Sequence, residues 1–436
     1  MPDNGNKNRP VRTLTVKNFS VIKEAKLEFG KITVLIGPQA SGKSLLSKLA
    51  YFLIGEITGI GVESLLDRNP WDDFLKALGR EFNERFQTTG WLRTNTEAVY
   101  SSGRYTVEIH GSGDPISPEI VFSFSNEFKN LYRAIGDNRS KQLPTSNRSR
   151  SELRQDLFSE MIALQNSNLR QSNTYIPAGR AFFTGASKSI AALQNPDMDQ
   201  ITRRFAGLIA WDSRWKAGYL TTGRNVLQKV EQEIYRIAGG MVVIVDGIPH
   251  FLCADGRNLP FSAVSSGTLE LLPMFNVVDQ LACFQEDINA RTPAAGFDEI
   301  IYHGPRVFLE EPEAHIFPKT QYELAKLFAW LANDPILEFD WVITTHSPYI
   351  LSSFNNLIYA GQLGQDKRLK KKIKIDEKYW VDPGSFRAYG IHDGVLKPIL
   401  SKSGLINAEY LDSVSETIGS EFDSLLRLEY ESTKAS

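Results

Sequence analysis

Cysteine is nearly missing from this chain of 436 residues: it holds two, Cys253 and Cys283, each in an apolar setting. Two thiols cannot build a disulfide framework or a cysteine-rich zinc site, which points to a reducing compartment. An excess of charge is missing as well. Lysine plus arginine number 49 against 51 aspartate plus glutamate, a net charge of −2, so contact with nucleic acid or an anionic membrane would need a local patch. No uninterrupted apolar run of about 18 residues stands out, and the polar stretch from Met1 to Arg12 has no signal-peptide core, so the expected location is cytoplasmic with no membrane partner. Repeats are lacking too, and low complexity is confined to the basic run Lys367, Arg368, Lys370, Lys371, Lys372, Lys374. That run reads first as a solvated loop and second as a contact for DNA, a DNA-mimicking protein or an acidic surface.

What is present suits a packed α/β protein. Hydrophobic residues make up 42% and charged residues 23% of a length that suggests one large domain carrying insertions. Alternation marks strands at Val11 to Phe19 and Ala25 to Phe29, and Ile32 to Ile36 reads as a buried strand running into Gly37 and a helix from Lys43 to Ile54. A helix at Trp71 to Phe86 and strands at Tyr105 to Ile109 and Ile120 to Phe124 complete a first lobe, 8–134. Polar, basic residues and Pro144 then mark a linker. Amphipathic patterns at Glu152 to Arg170, Asp199 to Trp215 and Thr222 to Ala238 make 135–240 a linker with a helical insertion. Asp197-Met198-Asp199 reads as a helix N-terminal cap and first turn, and Trp211 and Trp215 as packing one helix of the insertion against its neighbours. Strands at Met241 to Asp246 and His250 to Cys253 open 241–400, where Val307 to Leu309, Lys319 to Ala332 and Asp340 to Thr344 alternate strand and helix like a parallel core sheet. Short strands follow between Lys372 and Lys397, and a helix from Asn407 to about Tyr430 fills 401–436.

Four motifs carry chemistry. Gly37-Pro38-Gln39-Ala40-Ser41-Gly42-Lys43-Ser44 fits the phosphate-loop pattern in its required strand-to-helix context. Its glycines let backbone N–H groups curve round a β-phosphate, Lys43 supplies a point charge, and the Ser44 hydroxyl suits Mg²⁺. Val307 to Pro312 is an apolar strand ending in two carboxylates; Glu310 can join a Mg²⁺ shell while Glu311 orients or deprotonates a water. Trp341 to Pro348 is a second buried strand, which sets His346 at a carboxyl end where a γ-phosphate would be read. Val264-Ser265-Ser266-Gly267-Thr268-Leu269-Glu270 puts hydroxyls and a glycine before the helical run Leu271 to Phe284, a second phosphate-binding surface.

In this order the four motifs resemble the ABC-type ATPases of the SMC, RecF and OLD group, over most of the chain. Leu14 to Phe19 with Lys31 to Gly37 looks like that group's N-terminal lobe. Gly37 to Ser44 with Leu45 is similar to Walker A, and Ser265-Ser266-Gly267 to the signature. Val307 to Glu311 is similar to Walker B, Glu313-Ala314-His315 to the D-loop, and His346 to the switch histidine. Glu310 stands where ABC proteins usually carry Asp, and Gln39 where Asn is more usual. Tyr175-Ile176-Pro177-Ala178-Gly179-Arg180 resembles an Ile-Pro-x-x-Arg element of OLD-like ATPases, with Arg180 open to a nucleotide, neighbour or structural role.

The resemblance implies an α/β, ABC-type P-loop ATPase head with an antiparallel β lobe, a parallel core sheet and a helical insertion. It implies ATP and Mg²⁺ as cofactors, Glu311 and His346 as catalytic residues, Ser44 and Glu310 as metal ligands, and at least a head-to-tail homodimer in which Ser265, Ser266 and Gly267 act in trans. The insertion allows only short helices, unlike SMC, and no Asp-x-Asp follows His346 as in OLD nucleases. That leaves a stand-alone ATPase subunit with no nuclease of its own, like those of PARIS-type or Septu-type anti-phage systems. It would sense a trigger, such as DNA or a DNA mimic, and control a separately encoded effector, a nuclease by analogy. Two alternatives stand beside it: a RecF-like repair ATPase that clamps DNA, and a non-hydrolysing ATP-dependent scaffold or sensor.

Overall fold

The computed structural model describes residues 11–141, 149–163, 169–186, 199–210, 225–246, 248–291, 301–407 and 420–425. The first lobe is built from antiparallel strands: β1 (Arg12–Phe19), β2 (Ile22–Glu28), β4 (Glu97–Ser102), β5 (Tyr105–Asp114) and β6 (Ser117–Phe124), with the short β3 (Ile32–Ile36) lying apart from them. Farther on come β7 (Leu169–Arg170), β8 (Asn173–Ile176), β9 (Gly240–Val245), β10 (Ile248–Cys253), β11 (Asn258–Pro260) and β12 (Ile301–Tyr302). The chain ends its strands with β13 (Arg306–Glu310), β14 (Asp340–Thr345), β15 (Phe386–His392) and β16 (Val395–Pro398).

Eleven of these join in one sheet in the order β6-β5-β4-β1-β2-β16-β15-β3-β14-β13-β8. The antiparallel lobe and the parallel core are thus a single sheet. The hairpin β15–β16 is the splice, since β16 meets β2 through Val395 and Glu24 while β15 runs parallel to β3. From β15 to β8 every neighbour is parallel, so β3, β14 and β13 end at the same edge.

These central strands are apolar on both faces, as parallel strands covered by helices must be. In β3, Ile32, Val34 and Ile36 enter one core with the helices Ser266–Arg291, Pro318–Asn333 and Pro348–Leu363. Leu35, Phe308 and Val342 face the opposite core, with Lys43–Tyr51, Ile57–Leu66 and Trp71–Phe86. Period-two alternation therefore decides which layer each residue serves.

Several expectations are revised. The helix starting at Lys43 does not stop at Ile54; a wide turn at Phe52–Glu56 carries it to Leu66. Lys43–Leu66 is, among the described residues, long and apolar enough to cross a bilayer, against the expectation that nothing is, yet 72% of its most apolar window is buried inside the fold. A helix apolar on most sides belongs in a core. β4 is a strand that the sequence reading passes over. The stretch 135–240 contributes a strand, β8, to the core sheet beside β13, in addition to the helices Arg150–Ala163, Gln200–Ala210 and Asn225–Ala238. Asp199 caps the second of these, its Oδ1 accepting from Ile201 N at 3.0 Å. Pro144, Asp197, Met198, Trp211 and Trp215 lie outside the described residues, as does most of the C-terminal helix expected from Asn407 to Tyr430, of which 420–425 is helical.

Candidate nucleotide site

β3 hands the chain to the loop Gly37 to Ser44. A side chain on Gly37 would sit 2.5 Å from the Ile391 carbonyl oxygen, and Gly42, at φ 100°, would press one within 2.4 Å of Ile22. Ala40 is also left-handed, at φ 59°. The helix begins at Lys43 with Gly42 as its cap, so backbone donors at its start point outward. Pro38, Gln39 and Ala40 are exposed; Gly37, Ser41, Gly42, Ser44 and Leu45 are half-buried.

Lys43 is buried, and its Nζ donates to the carbonyls of Gly37 and Pro38, both at 2.8 Å. The ammonium thus rests on the loop that it would close around a phosphate. Burial lowers its pKa, opposed by the carboxylates of Glu311 and Glu313.

β14 delivers His346 beside it. His346 Nδ1 lies 3.4 Å from Lys43 Nζ, and Nε2 lies 3.1 Å from Glu311 Oε1. An ammonium can only donate, so these partners assign the acceptor role to Nδ1 and the proton to Nε2, making a relay Lys43–His346–Glu311. Glu311 sits at φ 41° just past β13, held by its N–H on the Thr344 carbonyl at 2.8 Å. A left-handed non-glycine residue at the end of a buried strand is strain held by its surroundings. The strain turns the Glu311 side chain toward β14 and water.

Glu313 secures the turn that bears His346. Its Oε1 accepts from the Thr345 hydroxyl at 2.7 Å and from His346 N at 2.6 Å. Burial raises the pKa of this carboxyl, opposed by the His346 N–H and the Thr345 hydroxyl. Ser347 caps the following helix, accepting from Tyr349 N.

Glu310 lies on the Phe308 side of β13, the side of the Lys43 helix, and is buried. Its carboxylate accepts from the Tyr175 hydroxyl at 2.7 Å and from Ala178 N at 3.1 Å, rather than from a group of the Gly37–Ser44 loop. Tyr175 itself stacks on Phe308 at 6.1 Å.

Ser265 and Ser266 are exposed at the start of the helix Ser266–Arg291, where Ser265 Oγ caps by accepting from Thr268 N at 3.2 Å. Gly267 packs on the following segment: a methyl there would meet the His315 carbonyl oxygen at 2.6 Å. Arg180 overturns the readings that place it against a nucleotide or a neighbouring molecule. It is completely buried, and every bond of its guanidinium is internal. The sequence reading also misses Tyr175 as the partner of Glu310 and Glu270 as the partner of Arg180. Both contacts span about 90 residues or more, and the only signal was the hydroxyl and charge left inside apolar runs.

The basic run lies apart from this cluster, as a short exposed helix Lys367–Lys370 in which Arg368 pairs with Asp366 and Lys370 with Glu377.

Residues 32–352 match the family model described as "AAA domain, putative AbiEii toxin, Type IV TA system". The chain belongs to this family. It is accordingly a P-loop ATPase, and the match reaches from β3 to just beyond His346. Among solved structures, this ATPase aligns with an SMC head bound to the C-winged helix domain of ScpA at 12% identity and a TM-score of 0.41, covering 89% of this chain and 97% of that one. The SMC head domain from Thermotoga maritima aligns at 9% and 0.39, over 90% and 99%. An ATP-binding cassette of an ABC transporter in its ADP conformation aligns at 11% and 0.29, over 89% of each. The α/β assignment stands on the strand order and the family match, not on these low scores. Comparison with curated proteins returns no significant match.

Proposed function

We propose that this chain binds and hydrolyses ATP between copies of itself and uses that cycle to sense a trigger and control a separately encoded effector in anti-phage defence. The observation that carries the ATPase part is the contact series Lys43–His346–Glu311, three residues on the segments that follow β3, β14 and β13, meeting at one edge of the sheet. Lys43 leaves the Gly37 and Pro38 carbonyls for the β- and γ-phosphates, with the N–H groups from Gln39 to Leu45 cradling them. Glu311 orients the attacking water and takes its proton, and His346 reads the γ-phosphate while holding Glu311 in place.

Mg²⁺ would be held by the Ser44 hydroxyl and the Glu310 carboxylate. The donor set fits, since oxygen ligands are what this ion takes and it shares them with phosphate and water. When bound, it neutralises charge developing on the phosphoryl oxygens.

The exposed Ser265 and Ser266 and the adjacent Gly267 act on the nucleotide of a second copy, which makes ATP part of the interface. The family description names a toxin of a type IV TA system. By architectural analogy the effector in our reading is a separate nuclease, with DNA or a DNA mimic as trigger. The decisive experiment measures the mass of the purified chain in solution with Mg²⁺ and ATP, with and without Glu311→Gln, beside nuclease assays on DNA and RNA. Oligomers without nuclease activity support the proposal; a monomer that assembles only on DNA would replace it with a repair-type clamp.

A further inference from the structure

The buried guanidinium of Arg180 ties two functional segments that the sequence separates. β8 ends at Ile176, and the next residue is Pro177, which has no N–H to give. Across from it, Glu311 N points to β14, so the Glu310 carbonyl of the same peptide points the other way, toward Pro177. Arg180 supplies the missing donor: Nη1 bonds the Glu310 carbonyl at 2.6 Å and the Pro177 carbonyl at 2.9 Å. Nη2 bonds the Glu311 carbonyl at 3.0 Å. That carbonyl precedes Pro312 and belongs to the residue at φ 41°.

The other edge of the same side chain faces the helix Ser266–Arg291. Nε bonds the Glu270 carbonyl at 3.2 Å, and the Glu270 carboxylate lies 3.6 Å from Nε while accepting from Arg180 N at 2.9 Å. Glu270 is one turn beyond Ser266, and Gly267 presses on the His315 carbonyl, so the helix start is fixed to the segment after β13 at two places. Arg180 and Glu270 are both buried, so no water replaces a bond that breaks.

We infer that Arg180 is a positioning residue that makes the hydrolytic carboxylates and the Ser265–Gly267 helix start move as one body, so that engagement of that helix by a second copy is felt at Glu310 and Glu311. The inference rests on the proposed ATP site. A planar fork reaches four carbonyls in fixed directions; a lysine at the same place cannot.

The test uses the full chain with Arg180→Lys and, as a shape-preserving second variant, Glu270→Gln. Thermal melting, the number of fluorescent ATP-analogue sites per chain, and kcat and KM are measured for each. ATP-dependent mass is measured for each in a Glu311→Gln background. The expected result is an unchanged number of sites and KM, a kcat reduced at least tenfold in Arg180→Lys and severalfold in Glu270→Gln, and weakened ATP-dependent self-association. A merely structural Arg180 would instead lower site number, melting temperature and turnover together, leaving turnover per bound nucleotide within twofold of wild type, and that would overturn the inference. Failure of the ATP-site reading shows separately, as equal turnover in wild type and Glu311→Gln, and would remove the inference with it.

Discussion

Replacing Glu311 by Gln separates chemistry from architecture. The side chain is 36% exposed, and its recorded contact is with His346 Nε2, which an amide oxygen can still accept. A change of that kind at a partly solvated site costs within about 0.5 kcal/mol, so melting should move by no more than about 2 °C. Lys43, which holds the phosphates in our reading, and the loop on which it rests are untouched by the change, and ATP affinity should stay within about threefold of wild type. Turnover should fall by about 10²- to 10⁴-fold, the range for removing a positioned general base, which corresponds to about 2.7 to 5.4 kcal/mol of barrier. Phosphate release under saturating ATP gives the rate, titration with a fluorescent analogue gives the affinity, and light scattering after gel filtration gives the mass of the ATP-trapped assembly. Equal turnover in the two proteins would refute the role of Glu311. A parallel loss of affinity and melting temperature would refute the claim that this side chain is dispensable to the fold.

Gly267→Ala places a methyl 2.6 Å from the His315 carbonyl oxygen; about 1–3 kcal/mol of stability and most ATP-dependent assembly should be lost with nucleotide affinity retained, and an unshifted melt would contradict the packing. Tyr175→Phe removes the 2.7 Å bond to the buried Glu310 carboxylate and should cost about 1.5–3 kcal/mol in denaturant unfolding, so an unchanged midpoint would show that the bond carries no weight. Burial raises the pKa of Glu313 above its ordinary 4.5, so the fold binds this proton more tightly than the unfolded chain does. Its contribution is complete below 4.5 and fades as pH rises through the folded value. Glu313→Gln, which never ionises, should therefore gain melting temperature relative to wild type as pH rises above 4.5, and a flat or falling difference would reverse the sign.

Local pattern was enough wherever the partner of a residue was solvent or a uniform core. Ile32 to Ile36 is apolar at every position and ends in glycine, and the helix Trp71–Phe86 carries its own periodicity with Phe74, Leu78, Phe82 and Phe86 on one face. The pattern weakens where strands are short. Asn173–Ile176 has four residues, too few to show alternation inside a stretch of helices, yet pairing with β13 buries it. β4 did carry a signal, since its residues alternate half-buried and buried from Glu97 to Ser102, but Ala98 and the two serines made it faint.

By itself the sequence determined the phosphate loop, because glycines, a lysine and a hydroxyl at fixed spacing between strand and helix have their chemistry within eight consecutive residues. It also determined that Glu310, Glu311 and His346 end buried strands. Tertiary structure alone decided what those side chains do with one another. The order β3-β14-β13-β8 sets His346 between Lys43 and Glu311 and gives Glu310 to Tyr175, and the segment after β8 closes Arg180 against Glu270. Spacing along a chain fixes which groups are available; only the pairing of distant strands fixes which of them share a hydrogen bond, since that depends on a few tenths of an ångström between segments that the sequence separates by 35 to 303 residues.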